Sequence, residues 1–276
     1  MQLFMSHADI IKKNYFRYWH RSQPILIAEP VVDGKCMQLT DTDNTQQIEF
    51  GYPEKYTKPG MWISGGADSA ILLYTLIAYL RETGREHSSS ITLMTCANDQ
   101  KLRWNAARAA AVIDEILSLT KTQCIDRHVV IYRDVQDVKY FHELDQEMID
   151  SGRIDILLSG KTANPPQGTS VIVEDIYGQL RDIVTDPHRA ADRDVPAEPV
   201  LAEYEKVAFY KPFLHSDKRL VAGAYHKFGI KDRLLPLTRS CEAIPVSEEH
   251  ADRIRGNEPC GGCWWCLERK WAFGHW

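Results

Sequence analysis

The sequence predicts an α/β fold in which a Rossmann-like parallel β-sheet is flanked by helices. Two observations lead to this prediction. From Met61 onward, short apolar segments alternate with segments of helical length, and the short segments are apolar throughout rather than at every second residue. Strands of that composition are buried on both faces, as in a parallel sheet covered by helices. In such sheets, ligands bind beyond the carboxyl ends of the strands.

The elements follow one another in a regular order. A short strand at Met61 leads into a glycine loop, and a helix over Ala70–Arg81, apolar almost all round, stops at Thr83-Gly84. Next come strands at Ile91–Cys96, His128–Tyr132 and Ile154–Ser159, and helices at Leu102–Leu119, Val138–Ile149 and Lys218–Phe228, the last with Ser216 or Asp217 as its N-cap.

Three regions are predicted along the chain. Residues 1–58 form a β-containing extension, with a hairpin turn at Asp33-Gly34. Residues 59–232 form the main domain, which includes a long loop at about 160–206 that is rich in Pro, Asp and Glu. Residues 233–276 form a C-terminal segment that holds four of the seven cysteines.

Composition narrows the class of function. The chain has 276 residues, 44% hydrophobic and 26% charged, with a net charge of -5. That charge argues against a protein that holds nucleic acid mainly by bulk electrostatics. No segment approaches the ~20 apolar residues of a membrane span, and the first residues are too polar for a secretory signal. We therefore expect a cytoplasmic protein that acts on small molecules and has no membrane partner.

A glycine loop, Ser64-Gly65-Gly66-Ala67-Asp68-Ser69, joins the first strand of the main domain to its helix. Its backbone N–H groups and the positive end of the helix dipole suit a phosphate or pyrophosphate, and its two serines add donors. The alternative is that Asp68 or Ser69 only caps the helix after a glycine turn. The dinucleotide motif G-x-G-x-x-G does not fit, and a P-loop ending at Gly160-Lys161-Thr162 fails because Asp155 replaces its first glycine.

The C-terminal segment contains C-x-x-C-x-x-C, with one further cysteine upstream. Four thiolates around one ion form a closed structural zinc site, and the two adjacent glycines allow a sharp turn. An iron–sulfur cluster is the less suitable alternative, because the compact run lacks a fourth cysteine, and disulfides do not suit a reducing compartment. The nearby tryptophans either pack the knuckle onto the main domain or stack on bases. The predicted zinc ligands are Cys241, Cys260, Cys263 and Cys266.

The S-G-G-x-D-S motif at Ser64–Ser69 resembles that of the PP-loop ATP pyrophosphatase superfamily, without a mismatch and at the end of the first sheet strand. Members cleave ATP between the α and β phosphates, adenylate an acceptor oxygen and release pyrophosphate. The resemblance implies an adenine nucleotide alpha hydrolase-like fold, with ATP and Mg²⁺ as cofactors. It also implies that the loop cradles pyrophosphate while Asp68 helps to place the magnesium ion.

The motif, a KPF…SDK segment, RSC and PCGGCWWCLER together resemble the 7-cyano-7-deazaguanine (preQ0) synthase family over Met61–Phe273. This implies adenylation of 7-carboxy-7-deazaguanine, attack by ammonia to give an amide, and a second activation that gives the nitrile. It also implies that Lys218 neutralises phosphate charge, that the four cysteines bind zinc, and that Ser159 and Gly160 border the acceptor pocket. For Lys218 the alternative is an exposed lysine in the first turn of a helix. Dimers are common in this family.

The chain departs from the family around the acceptor. Cys96-Ala97-Asn98-Asp99 stands where the synthases have a tyrosine-glycine-glutamine segment, and their valine-proline-glycine-arginine-asparagine segment is missing. An insertion, Glu242–Pro259, separates the fourth cysteine from the other three. Three functions therefore remain open. They are a preQ0 synthase-like ligase, an adenylating enzyme with a protein carboxylate or a tRNA base as acceptor, and a non-catalytic, zinc-stabilised nucleotide-binding module.

Overall fold

The computed structural model describes residues 25–26, 36–97, 104–132, 138–168, 170–187, 189, 193–194, 200–204, 206–242 and 246–276. The hairpin turn predicted at Asp33-Gly34 and the start of the helix predicted from Leu102 lie outside these residues. Within the described part, no helix is both long enough and apolar enough to cross a membrane.

A seven-stranded sheet forms the centre of the fold, and this confirms the predicted α/β class. Its strand order is β1-β10-β11-β7-β4-β5-β6. The five strands from β11 to β6 are parallel, whereas β10 and β1 pair antiparallel at one edge. The strands are β1 (Ile25–Leu26), β4 (Pro59–Trp62), β5 (Ile91–Ala97), β6 (Ile125–Tyr132), β7 (Ile156–Leu158), β10 (Leu201–Glu203) and β11 (Ala208–Tyr210).

Helices connect and cover these strands. The longest are α1 (Ala67–Glu82), α2 (Asn105–Thr120) and α3 (Val138–Asp150), followed by α4 (Lys218–Lys227), α5 (Lys231–Leu234), α6 (Glu248–Arg255) and α7 (Trp264–Phe273). Of these, α1 to α4 lie where the sequence predicts a helix, whereas α5 to α7 are not predicted. Helix α1 is buried on most of its surface, as expected of an apolar helix against a sheet. Asp217 caps α4 by accepting a hydrogen bond from the Arg219 backbone N–H.

The N-terminal hairpin shares the core of the main sheet. Its strands are β2 (Met37–Thr40) and β3 (Gln47–Phe50). The Phe50 ring packs edge-on against Tyr79 of α1 and Tyr210 of β11, each with ring centroids 5.5 Å apart. Buried aromatic pairs of this kind contribute about 0.5–1.5 kcal/mol beyond their area burial. The described part of the extension is therefore packed into the main domain, and the predicted boundary at residue 58 stays a prediction.

Between residues 160 and 206, where the sequence predicts a long loop, the structure contains short strands. A hairpin joins β8 (Ile172–Glu174) to β9 (Leu180–Asp182), and β10 lies near the end of the segment. Asp175 shapes the hairpin turn, because its Oδ1 accepts hydrogen bonds from the backbone N–H groups of Tyr177 and Gln179. Strands of three residues are too short to show a two-residue periodicity, so the sequence pattern does not reveal them.

Candidate functional site

The glycine loop lies at the carboxyl end of β4, between that strand and α1. Gly65 has a φ of +75°, and a Cβ there would lie 2.8 Å from the backbone carbon of Arg108. Both the positive φ and the close approach of Arg108 therefore exclude a side chain at position 65. The N-cap of α1 is Gly66, which has no side chain that could cap the helix. Neither Asp68 nor Ser69 caps the helix, so its first N–H groups remain available to an anion.

Two serines line the loop. The Ser69 hydroxyl donates to the Gly66 carbonyl at 3.1 Å, and the Ser64 hydroxyl accepts from the Gly66 N–H at 3.3 Å. The two hydroxyl oxygens are 3.5 Å apart. The predicted loop residues thus form one concave group of donors at the strand end, where ligands of parallel sheets bind.

Ser159 and Gly160 lie beside this loop, because β7 pairs with β4 and the two strands end together, Met61 opposite Leu158. A Cβ on Gly160 would lie 3.1 Å from the Asp68 carbonyl oxygen, so the two segments approach closely. The topology therefore brings the predicted residues of two strands to one edge of the sheet. Their roles in binding remain predictions.

Lys218 is buried against the loop, with 2% of its surface exposed. Its Nζ lies 3.0 Å from Asp68 Oδ2 and 3.2 Å from Glu268 Oε2. Burial opposes its charge, but the two carboxylates outweigh this and raise the pKa of Lys218 above its ordinary value. The alternative of an exposed lysine is wrong, because the Lys218 side chain is buried and paired with Asp68 and Glu268.

Glu268 and Arg193 complete this cluster, and the sequence analysis missed both. Glu268 is fully buried, and its Oε1 accepts from Arg193 Nη2 at 2.7 Å. The two cations and the two carboxylates balance, which a buried charge cluster requires. The only sequence signal for Glu268 is its place two residues after Cys266. We name Asp68, Glu268, Lys218 and Arg193 the buried charge cluster.

The Asp68 carboxylate has a free oxygen. Its Oδ1 is buried and has no hydrogen-bond partner among the described residues, while Oδ2 is held by Lys218. An unpartnered, buried carboxylate oxygen beside the glycine loop suits Mg²⁺, because this ion is usually bound by one or two carboxylates together with phosphate oxygens. The residues present therefore fit the predicted magnesium ion.

The four predicted zinc ligands, Cys241, Cys260, Cys263 and Cys266, converge. All are buried, and their sulfurs lie within 4.8 Å of one another. Tetrahedral zinc with Zn–S bonds of about 2.3 Å places sulfurs ~3.8 Å apart, and the Cys260 and Cys266 sulfurs are 3.9 Å apart. None of the seven cysteines forms a disulfide. The donor set fits a closed structural zinc site with no position for water.

The turn that contains Cys260, Cys263 and Cys266, which we call the knuckle, packs against residues next to the β8–β9 hairpin. Gly261 has a φ of +75°, and a Cβ there would lie 2.6 Å from Ile176 next to the β8–β9 hairpin. Trp264 is buried against the same segment and donates its indole N–H to the Ile183 carbonyl at 2.9 Å. Trp264 therefore packs the knuckle onto the main domain and presents no face to a base.

The cysteine-containing segment is joined to the glycine loop in two ways, indirectly through the bond between Glu268 and Lys218 and directly through Arg239. Helix α7 carries both Cys266 and Glu268, so the residue that pairs with Lys218 is fixed by the same helix as a metal ligand. Two residues before Cys241, the Arg239 backbone N–H donates to the Gly65 carbonyl at 2.9 Å. The cysteine cluster and the loop are thus parts of one packed unit.

A further buried carboxylate lies on α3, against the end of β4. Asp145 is 6% exposed and accepts from the Trp62 indole N–H at 2.9 Å. Burial raises the pKa of Asp145 to about 7, against the smaller lowering by Trp62. The chain therefore holds a carboxyl group that changes charge near neutral pH, which the sequence pattern does not reveal.

Comparisons with known proteins leave the family open. No protein-family model and no curated protein matches the chain. Among solved structures, the NMN synthetase from Francisella tularensis is similar over 79% of this chain and 84% of that chain, with 10% sequence identity and a TM-score of 0.35. A likeness at this level carries no argument about activity. The functional conclusion must therefore come from the chain's own residues.

Proposed function

We propose that the protein is an ATP-dependent ligase that adenylates a carboxylate and releases pyrophosphate. The observation that carries this proposal is the contact between Lys218 and Asp68, which ties a buried, protonated lysine to the first turn of a phosphate-type glycine loop. A buried cation, uncapped helix N–H groups and an unpartnered carboxylate oxygen at one strand end suit a triphosphate with its metal ion.

In this proposal, the loop and each residue of the buried charge cluster have separate roles. The backbone of Ser64–Ser69 and the dipole of α1 bind the pyrophosphate that leaves, because negative charge is stabilised at a helix N-terminus. Lys218 keeps its proton and supplies positive charge. Glu268 and Arg193 hold Lys218 in position. Asp68 Oδ1 would hold a magnesium ion, which neutralises phosphate charge when bound.

The chemistry follows from what the loop stabilises. An oxygen of the acceptor carboxylate attacks the α-phosphorus, the bond to the bridging α–β oxygen breaks, and the electron pair leaves with pyrophosphate. Adenylation turns the carboxylate, a poor electrophile, into an acyl adenylate, a mixed anhydride with AMP as the leaving group. An amine then attacks the carbonyl carbon and AMP departs. No residue of the buried charge cluster has to change its protonation state during the attack on the α-phosphorus.

For the acceptor we propose 7-carboxy-7-deazaguanine, with ammonia as the amine and a nitrile as the product of a second activation. This rests on the resemblance of the loop, the SDK segment and the cysteine run to the preQ0 synthases. The departures at Cys96–Asp99 keep the alternative acceptors, a protein carboxylate and a tRNA base, in the test.

The test is incubation of zinc-loaded protein with ATP, magnesium, ammonia and 7-carboxy-7-deazaguanine, followed by mass spectrometry. We expect AMP, pyrophosphate and the nitrile, and none of these with Asp68→Asn. AMP formation only with another carboxylate would correct the acceptor alone. Absence of AMP with every carboxylate, from folded protein, would overturn the proposed function.

A further inference from the structure

A cavity of about 170 Å³ lies between the cysteine cluster and the back of the glycine loop. On the same measure, one water needs roughly 10–15 Å³, so the cavity admits a group much larger than a water. Its wall combines three arginines with hydroxyl and apolar groups. It includes Arg108, Thr238, Arg239, Ser240, Arg269 and Trp276. We name it the arginine cavity.

The arginine cavity is separate from the phosphate-type loop. None of Ser64–Ser69 and no member of the buried charge cluster lines it. It adjoins the loop nonetheless, because Arg239 bonds to the Gly65 carbonyl and Arg108 packs against Gly65. An occupant would therefore lie behind the loop rather than in the place proposed for pyrophosphate.

Apart from the two cysteines of the cluster, the charged side chains on the wall are all positive. No Asp or Glu is among the described residues that line the cavity. A zinc ion with four thiolates carries a charge of −2, which two arginines offset, and the third remains. Arg239 is the natural partner of the cluster, since it lies beside Cys241. The excess charge therefore falls on Arg108 and Arg269 and calls for one anionic group.

Hydrogen-bonding groups on the wall are also left over. Arg269 is 6% exposed; its Nη1 donates to Thr238 Oγ1 at 2.7 Å and its Nη2 to the Leu235 carbonyl at 2.9 Å, while its buried Nε has no partner among the described residues. The buried Ser240 hydroxyl likewise has none. Arg239 Nε is a third such atom, and buried donors are rarely left unpaired in a folded protein.

Arg108 is the least constrained of the three arginines. Its one hydrogen bond within the described residues is a long one, 3.5 Å from Nη1 to the Leu237 carbonyl. The rest of its fork is therefore available to an oxyanion, for which a planar guanidinium is well matched. Trp276 and two prolines add apolar surface to the lining.

We propose that the arginine cavity binds a small oxyanion, a single carboxylate or phosphate group, through Arg108, Ser240 and Arg269. The site goes beyond the proposed function, because its binding needs neither ATP nor turnover. The carboxylate could come from an organic acid whose apolar body meets Trp276, and the phosphate from free phosphate or a phosphate ester. Both kinds of ligand carry negatively charged oxygens, which can accept hydrogen bonds from the donors on the wall.

The experiment is calorimetric titration of the zinc-loaded protein with inorganic phosphate and, separately, with benzoate at constant ionic strength. We expect one of the two to bind saturably at one site per chain, and the one that binds identifies the source. Arg108→Gln should weaken that binding at least tenfold, and Ser240→Ala should weaken it severalfold. Arg127→Gln is the matched control, because Arg127 is exposed on the edge strand β6, and it should bind as the wild type does.

The loop variant Ser69→Ala separates this site from the phosphate-type loop. Binding that persists in Ser69→Ala and is lost in Arg108→Gln supports the proposal. Binding that is lost in Ser69→Ala and kept in Arg108→Gln belongs to the loop and overturns it. Absence of saturable binding of both anions also overturns it. Unchanged thermal unfolding of Arg108→Gln shows that its loss of binding is local.

Discussion

The glycine loop and the cysteine cluster differ in how completely their polar groups are used. The four cysteines are buried and face one another, so a metal ion would satisfy them and leave no position for a substrate. At the loop, Asp68 keeps a buried oxygen without a partner and α1 begins without a capping side chain. The cysteine cluster thus has the geometry of a structural site, whereas the glycine loop has polar groups without a partner among the described residues. Helix α7 joins them, since it contributes to both.

Removal of the metal should have the largest effect. Cys263→Ser, or chelation of the wild type, should unfold the C-terminal segment, since structural zinc contributes roughly 10–16 kcal/mol of apparent binding free energy in small domains. Because Glu268 lies on the same helix, ATP binding should be lost too. Metal analysis should give about one zinc per chain and less than a tenth of that in the variant. Cys36→Ser, outside the cluster, is the control; full metal content and stability in Cys263→Ser would contradict the assignment.

Replacement of Lys218 should abolish activity. Lys218→Met removes the cation shared by Asp68 Oδ2 and Glu268 Oε2, and breaking a buried ion pair costs about 3–5 kcal/mol of stability. We expect AMP formation to fall by about three orders of magnitude, as for loss of a major electrostatic contact in a transition state. Lys227→Met on the same helix is the matched control and should be active.

A double variant separates stability from chemistry at this position. Lys218→Met with Glu268→Leu removes one cation and one carboxylate together, so the charges of the cluster still balance. Arg193 keeps its hydrogen bonds to the Thr162 and Ala163 carbonyls. Its thermal unfolding should return toward that of the wild type while AMP formation stays low. Recovery of activity along with stability would show that Lys218 has only a structural role.

Two glycines of equal backbone conformation sharpen the role of the loop. Gly65 and Gly84 both have a φ of +75°, but a Cβ on Gly84 meets nothing within 4 Å, whereas one on Gly65 meets the backbone of α2. Gly84→Ala should cost about 1–2 kcal/mol of stability from the strained φ alone and leave activity intact. Gly65→Ala should lower the rate of AMP formation about a hundredfold. Equal rates for the two variants would contradict a role of the loop in positioning ATP.

A last effect concerns pH and lies outside both regions. Asp145 has a pKa of about 7 in the folded protein, above the ordinary 3.8. The folded state therefore binds more protons between these values, and its contribution to stability is full below about pH 4 and lost as pH rises through 7. The shift of about three units corresponds to ~4 kcal/mol at most. Urea unfolding at about pH 5 and about pH 8 should show this slope in the wild type and a smaller one in Asp145→Asn.

Motifs formed by adjacent residues can be predicted from the sequence, whereas contacts between residues that are distant along the chain cannot. Ser64–Ser69 and the C-x-x-C-x-x-C run each carry their chemistry in a few adjacent residues, so both are recognised without a structure. Glu268 reaches Lys218 from a distant segment, Arg193 reaches Glu268 from another, and no local pattern marks a residue for such a contact. The burial of Lys218 likewise depends on how α4 packs. The β8–β9 hairpin is missed because its strands are only three residues long.

The central claim, that the loop and the buried charge cluster form a site for cleavage of ATP between the α and β phosphates, can be tested directly. Zinc-loaded protein is incubated with ATP labelled at the α or the γ phosphate, with magnesium and the candidate carboxylates, and the labelled products are separated. The account predicts AMP and pyrophosphate, and neither product with Lys218→Met. ADP and inorganic phosphate as the products would contradict it.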